Sequence, residues 1–377
     1  MSEKIDFLYL NEKDMVAAGV LEMKECMAAM EEMFVLINRG DYRMGGENAN
    51  EHGIRVSFPK ETDIPGMPIH EPDKRFMAMP AYLGGRFHMF GIKSYGSNPH
   101  NTEKGLPRSI LMMSLLDSET GVPLAYMSAN ILSAMRTGAT TGLGAKYFCV
   151  GDASTVAIIG PGTMGRYAMM SFMEAQPSLR KVRIKGRGQE NIERFISFCK
   201  KRYPQIQEYM VCDSIADACK GADIVYFGTT NAAKFEDNPC IERDWLKPGC
   251  VVISASALLV DTSFLAAPDV KLISDNYKMY DGWGSGQPLP TQKSVSTLLG
   301  MGFFDAVSEG KISRSKITDI GEIICGQKIG RDNDNQIILY AVGGMPIEDV
   351  AWAYDCYQNA LSKGIGVSLN LWEKVQL

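Results

Sequence analysis

The chain contains no CxxC pair and no HExxH, and its four histidines (His52, His70, His88, His100) are scattered. Structural zinc sites and zinc hydrolases depend on such ligand spacings, so neither is supported and no metal is expected. The nine cysteines also lack the regular spacing of a disulfide framework, which suits reduced thiols and a cytoplasmic location. No run approaches the roughly 18 apolar residues that a membrane span requires. The opening stretch, MSEKIDFLYLNEKD, is acidic and mixed, unlike the basic and apolar regions of a signal peptide. With a net charge of −5 and no basic block, the chain lacks the electrostatic footprint of a nucleic-acid binder. What remains is a soluble globular chain of 377 residues, long enough for two domains.

Periodicity predicts a helix over residues 14–39, closed by Gly40, with Met23, Met27, Met30, Phe34 and Ile37 as its apolar stripe. GDYRMGGENANEHG follows as turn-rich and irregular chain, then IRVSFP as a short strand ending at Pro59. RFMAMPAYLGGRFHMFGIKSYG reads as two strands joined around Gly84-Gly85, and SILMMSLLD and VPLAYMS flank SETG in the same way. The first part is thus strand-rich, a mainly antiparallel sheet with the N-terminal helix packed on it. From residue 129 the pattern changes. A helix, NILSAMRTGATTGLGAKYF, carries small residues (Ser133, Gly138, Ala139, Gly142, Ala145) that permit close packing. Strands and helices then alternate through STVAIIG, KVRIKG, ADIVYFGT, CVVISASA and VKLISDN, the pattern of a doubly wound parallel sheet.

VAIIGPGTMGRYAMM sets Gly160, Gly162 and Gly165 as GxGxxG between an apolar strand and a helix, with VRIKG as the second strand. Each glycine has its own physical reason: a tight turn at 160, backbone approach to a pyrophosphate at 162, close helix–strand packing at 165. The anion then sits at a helix N-terminus, beside Thr163 and Met164, where free N–H groups and the dipole favour it. An NAD site usually ends its second strand with Asp or Glu on the ribose 2′-hydroxyl. Here RIKGRGQEN has Gly186 and Arg187 instead, and Arg187 suits a 2′-phosphate. NADP(H) is therefore favoured over NAD(H).

FGIKSYGSNPHN places Lys93 at the end of an apolar run, where an ammonium needs a negative partner or a route to water. On GIKSYGSNPHNTEKGLP, DSETGVPLA, ILSAMRTGATTGLGAKYF, VAIIGPGTMG, ADIVYFGTT, ITDIGEIICGQKIGR and ILYAVGGMPIEDVAWAYDCYQNALSKGIG, the chain resembles the ornithine cyclodeaminase/mu-crystallin family over nearly its whole length. The resemblance implies a homodimer in which residues 1–130 and 340–377 form an α+β substrate and dimerisation domain. A Rossmann domain, residues 131–339, is inserted between them. It also implies a small amino or imino acid ligand held by Arg55, Lys93 and Arg136, and cofactor contacts at Thr137 and Val342.

Two departures from the family pattern stand out. Cyclodeaminases and related alanine dehydrogenases carry an Asp where this chain reads ISASALLVDTSF and has Leu258. Asp261, three residues on, is a weak catalytic candidate and reads better as a helix N-cap. Arg108, in GLPRSI, stands where the cyclodeaminase has a small hydroxylated residue, and adds a cation for a substrate carboxylate or a cofactor phosphate. The expected activity is hydride transfer at the C–N centre of a small amino or imino acid, of imine reductase or amino-acid dehydrogenase type. The alternatives are ornithine cyclodeamination with NAD regenerated, or a non-catalytic ligand-binding or regulatory protein, as in the branch named for a tyramine oxidase subunit.

Overall fold

The computed structural model describes residues 4–71 and 73–375. It divides into two compact units: Met1–Glu22, Arg39–Arg136 and Met345–Leu377 form the first, and Met23–Asn38 with Thr137–Gly344 the second. Among the described residues no helix is long and apolar enough to cross a membrane.

The first unit is an eight-stranded, mainly antiparallel sheet. Its strands are β1 (Ile5–Leu10), β2 (Tyr42–Met44), β3 (Ile54–Val56), β4 (Arg75–Leu83), β5 (Met89–Ser97), β6 (Ser109–Asp117), β7 (Pro123–Ser128) and a C-terminal strand, Val367–Trp372. The β4–β5 and β6–β7 hairpins fall where the alternation predicts them. β1 pairs in parallel with β7 and receives the C-terminal strand on its other edge, so the two chain ends share one sheet. β2 replaces part of the irregular stretch expected at residues 40–53. The helix that covers this sheet is C-terminal, Pro346–Lys363. Gly91 on β5 makes room for it, because a Cβ there would lie 2.9 Å from Val350 and 2.6 Å from Met113. Trp352 anchors the same helix by donating from Nε1 to the Val20 carbonyl at 3.2 Å.

The predicted helix over residues 14–39 is two helices. The shorter, α1 (Glu12–Ala17), is capped by Asn11 and Asp14 and stops ahead of Gly19, whose φ of +94° no helix can continue. The longer, α2 (Met23–Arg39), belongs to the second unit and not to the antiparallel sheet as expected. Its stripe docks on glycines of that unit: a Cβ on Gly142 would approach Met27 Cε, and one on Gly321 would come within 2.9 Å of the Phe34 carbonyl.

The second unit is an eight-stranded sheet, parallel throughout. Helix α3 (Asn130–Phe148) leads into it, and the division between the units falls inside α3 after Arg136. Then come β8 (Thr155–Ile159), α4 (Thr163–Ala175), β9 (Lys181–Lys185), α5 (Gln189–Arg202), β10 (Glu208–Val211), β11 (Ile224–Phe227), β12 (Val251–Ser254), β13 (Val270–Ser274), β14 (Ile317–Asp319) and β15 (Ile337–Ala341). Strand order is β10-β9-β8-β11-β12-β15-β13-β14. The order reverses between β8 and β11, the switch point where such sheets bind ligands beyond their carboxyl ends. The small residues of α3 bring it against α4 and this sheet: a Cβ on Gly138 would strike the Tyr167 carbonyl of α4 at 2.7 Å, and one on Gly144 would strike Tyr340 of β15 at 2.6 Å.

Candidate active site

Within the first unit a charged cluster is sealed from water. Strand alternation turns Lys93 of β5 onto the face that the C-terminal helix covers, and it is 2% exposed. Arg136 lies one turn beyond Ser133 on α3, so both present the same face. Glu348 and Asp349 occupy the first turn of the C-terminal helix, fully buried, where the helix dipole favours carboxylates. Lys93 Nζ donates to Asp349 Oδ2 at 2.6 Å and to Ser133 Oγ at 3.2 Å. Arg136 donates from Nε to Asp349 Oδ1 at 3.0 Å and from a terminal nitrogen to Glu348 Oε2 at 2.7 Å. Glu348 also accepts from the Met345 backbone N–H through its other oxygen. Asp349 therefore bridges the two cations.

Burial dominates the proton equilibria. It pulls Lys93 down to about 8, helped by the Arg136 charge and opposed by Asp349. Burial raises Glu348 above the usual carboxylate range, against the pull of Arg136. For Arg136 the desolvation is outweighed by Asp349 and Glu348, which hold it above its ordinary value. Two cations meet two carboxylates, so the core of the cluster is formally balanced. Lys93 and Arg136, two of the expected trio of cations, share buried counter-ions. Arg55 lies on β3, whose three residues are exposed. Arg108 is 3.7 Å from Asp73 and partly exposed. Glu348 and Asp349 escaped sequence reasoning, although two acids within an otherwise apolar stretch, PIEDVAWA, were a usable signal.

In the second unit the GxGxxG turn joins β8 to α4. Gly160 has φ +95°, and a Cβ on it would lie 2.6 Å from the Gly228 carbonyl at the end of β11. A Cβ on Gly165 would lie 2.7 Å from the Gly160 carbonyl. Gly162 differs. It is the N-cap of α4 with an ordinary φ of −84°, and a Cβ there would meet nothing within 4 Å. Packing explains glycine at 160 and 165 but not at 162, where the space in front of the helix N-terminus fits a pyrophosphate. Thr163 and Met164 open that helix. After β9, Gly186 lies against the Pro161 ring and Arg187 is exposed, with no acidic residue at that strand end. Thr137 is half-buried on α3, and Val342 is buried just past β15, its N–H donating to the Ser254 carbonyl. The next two residues are tied by a buried carboxylate missed in the sequence: Asp275 Oδ2 accepts from Gly343 N at 2.6 Å and Gly344 N at 3.3 Å.

Leu258 is fully buried. Asp261 is exposed and caps the short helix Thr262–Ala266, accepting from Ser263 N at 2.7 Å. The Ser263 hydroxyl and N–H hold its carboxyl below the usual range, which suits a cap and makes a poor base. The structure gives Asp261 the cap role.

These two units, an NAD-type βαβ sheet and an antiparallel sheet with a buried lysine–arginine–carboxylate cluster, define a two-part dinucleotide-binding protein. The chain belongs to the ornithine cyclodeaminase/mu-crystallin family, whose model matches residues 20–364. It is 30% identical over 300 residues to the N-((2S)-2-amino-2-carboxyethyl)-L-glutamate dehydrogenase of Staphylococcus aureus, covering 79% of this chain and 82% of that protein. It is 28% identical over 355 residues to the alanine dehydrogenase of Archaeoglobus fulgidus, covering 94% and 96%. An archaeal alanine dehydrogenase dimer with bound NAD superposes with a TM-score of 0.75 at 26% identity, covering 98% of this chain and all of that one.

Proposed function

We propose that the protein is a nicotinamide-dependent oxidoreductase acting at the C–N centre of a small amino or imino acid. The observation that carries this reading is Lys93, buried and hydrogen-bonded to Asp349, with burial bringing its proton equilibrium down to about 8. A lysine poised there gives or takes a proton near neutral pH, as general acid–base chemistry at an amine or imine nitrogen requires. The dinucleotide, when bound, supplies or accepts the hydride. Gly160, Gly162 and Gly165 with the first turn of α4 hold its pyrophosphate. Arg136 meets the substrate carboxylate as the guanidinium of this cluster, and Arg55 and Arg108 add positive charge on the same unit. In the reducing direction Lys93 Nζ donates to the substrate nitrogen while Asp349 keeps that ammonium oriented.

The antiparallel unit then serves as substrate and dimerisation domain and the parallel unit as dinucleotide domain. Phe76 and Ile110, which flank Gly96 in register, and Met112 expose apolar surface on the sheet face opposite Lys93, which supports a homodimer through that face. Arg187 and the absence of an acid at the end of β9 support NADP(H) as the preferred cofactor. The nine cysteines are all free, in keeping with a reducing, cytoplasmic setting.

The test is oxidation of NADPH or NADH by the purified protein across cyclic imines and 2-oxo acids with an amine donor. Lys93→Met is expected to lower turnover about 10²- to 10⁴-fold while keeping cofactor affinity. Unchanged turnover in that variant removes Lys93 from the chemistry. A protein that binds the cofactor and an amino acid yet oxidises nothing is instead a binding protein.

A further inference from the structure

Strand register sets a second group of cations in line with the buried cluster. Across β4 and β5, Arg75 stands opposite Ser97, Met77 opposite Tyr95 and Met79 opposite Lys93. Opposite partners share a face and side chains alternate along a strand, so Arg75, Tyr95 and Lys93 project from one side of the sheet. Arg55, opposite Met77 on β3, joins that side. The row runs outward from a sealed end. Met79 is 1% and Lys93 2% exposed, whereas the Arg75 side chain is 32% exposed. The Tyr95 ring lies along the way, with Lys93 Nζ 6.0 Å and Arg75 Cζ 5.9 Å from its centroid.

Two features of Arg75 point to a ligand. Its Nε is buried and has no hydrogen-bond partner, a costly state for a guanidinium N–H. Its counter-ion is also shared: Asp73 Oδ1 is 4.0 Å from Arg75, and Asp73 Oδ2 is 3.7 Å from Arg108. Two guanidinium groups thus share one carboxylate at 3.7–4.0 Å, so Asp73 cannot fully neutralise both, while the inner cluster is balanced.

Resting on the oxidoreductase reading above, we propose that Arg75 recognises a second carboxylate on the substrate, making the preferred substrate an amino or imino diacid. The α-carboxylate lies at Arg136, the reacting nitrogen at Lys93, the carbon chain passes the Tyr95 ring, and the distal carboxylate meets Arg75. Two cations each near 6 Å from one ring lie within about 12 Å of each other. Hydrogen bonds of about 2.8 Å at both ends leave at most roughly 6 Å between the substrate nitrogen and the distal carboxylate, within the reach of a glutamate-length chain. Arg108 competes for Asp73 and so keeps Arg75 from being fully neutralised.

The test uses a matched pair of probes, 2-oxoglutarate and 2-oxopentanoate, which share a chain length and differ in the distal carboxylate. Each is measured with ammonium and reduced cofactor in turnover, and alone in equilibrium binding to the cofactor-loaded protein. The diacid is expected to exceed the monoacid in kcat/KM roughly 10- to 100-fold, the worth of a hydrogen bond between charged groups, mainly through KM. Arg75→Leu should collapse that ratio towards one, and Arg75→Lys should restore part of it. A wild-type ratio near one, or an Arg75→Leu variant that lowers both probes alike, overturns the subsite and leaves the oxidoreductase reading standing. Diacid-selective binding that depends on Arg75, without turnover of either probe, upholds the subsite and overturns the oxidoreductase reading. Equal or absent binding of both probes, again without turnover, overturns both.

Discussion

The two units build their candidate sites from opposite materials. In the parallel unit the cofactor turn is backbone: three glycines within six residues, an extended N-cap at Gly162 and the first N–H groups of α4. In the antiparallel unit the site is side chain: Lys93 from a strand, Ser133 and Arg136 from α3, and Glu348 and Asp349 from a helix more than two hundred residues further on. A backbone site needs residues that keep side chains out, and these lie close together in the chain. A side-chain site needs charges that neutralise one another after burial, and only the fold brings those together. Substitutions should therefore fail differently in the two units.

The largest effect expected is that of Lys93→Met in the antiparallel unit. Removing a general acid–base group costs about 10²- to 10⁴-fold in rate, and steady-state kinetics with saturating cofactor will show it. The pH profile carries the same assignment. Reduction needs the protonated ammonium, so kcat in the reducing direction should fall as pH rises through about 8. The reverse, amine-oxidising direction should gain over the same interval, because it needs Lys93 neutral to take the proton.

Asp349→Asn comes next and separates positioning from proton transfer. Asp349 raises the proton affinity of Lys93, so losing its charge should move the alkaline limb of the profile below 8. Two buried cations would be left with one carboxylate, and unfolding in urea should report a loss of about 3–5 kcal/mol. A variant that loses stability but keeps the wild-type pH profile would show Asp349 to be structural only. The glycine turn of the parallel unit is built from backbone, so no balance of buried charges is at stake there.

There the comparison is between two glycines of one motif. Gly165→Ala puts a methyl 2.7 Å from the Gly160 carbonyl and should cost about 1–3 kcal/mol of stability through overpacking. Gly162→Ala puts its methyl into open space at an accessible φ, so its stability cost should stay below about 1 kcal/mol. Its dinucleotide affinity should fall all the same, because the methyl occupies the ground that the pyrophosphate needs. Thermal unfolding without cofactor and fluorescence titration with it measure the two effects separately.

That contrast also explains what was legible in the sequence. The hairpins at Gly84-Gly85 and SETG, the βα alternation and the glycine turn are local patterns, and the structure shows them where the chain predicts them. Lys93 and Arg136 stood out through family motifs, but the acids that receive them did not, because Glu348 and Asp349 read locally as an ordinary acidic first turn. The helix predicted over residues 14–39 differs from the two observed for a related reason. Its methionine stripe reports that a face is buried and cannot say which sheet or helix buries it. Gly19, which splits it, lay in plain view but counts for little against a long apolar period. Arg75 was invisible in the same way, since its meaning comes from standing in register with Tyr95 and Lys93 across a hairpin.

The smallest effect concerns Arg187, where the parallel unit does use a side chain. Arg187 is exposed two residues past β9, so any contact it makes with a cofactor phosphate is screened and partly solvated. An exposed ion pair contributes up to about 1 kcal/mol, which limits the change in cofactor preference to roughly fivefold. Arg187→Ala should thus lower kcat/KM for NADPH by that factor and leave NADH nearly unaffected, because only the 2′-phosphate distinguishes the two. Raising the ionic strength should shrink the wild-type preference in the same direction. An equal loss for both cofactors would mean that Arg187 stacks on the adenine, which the two share. A preference for NADH already present in the wild type would mean that the missing acid after β9 is replaced by backbone contacts, returning that strand end to the same backbone logic as the glycine turn beside it.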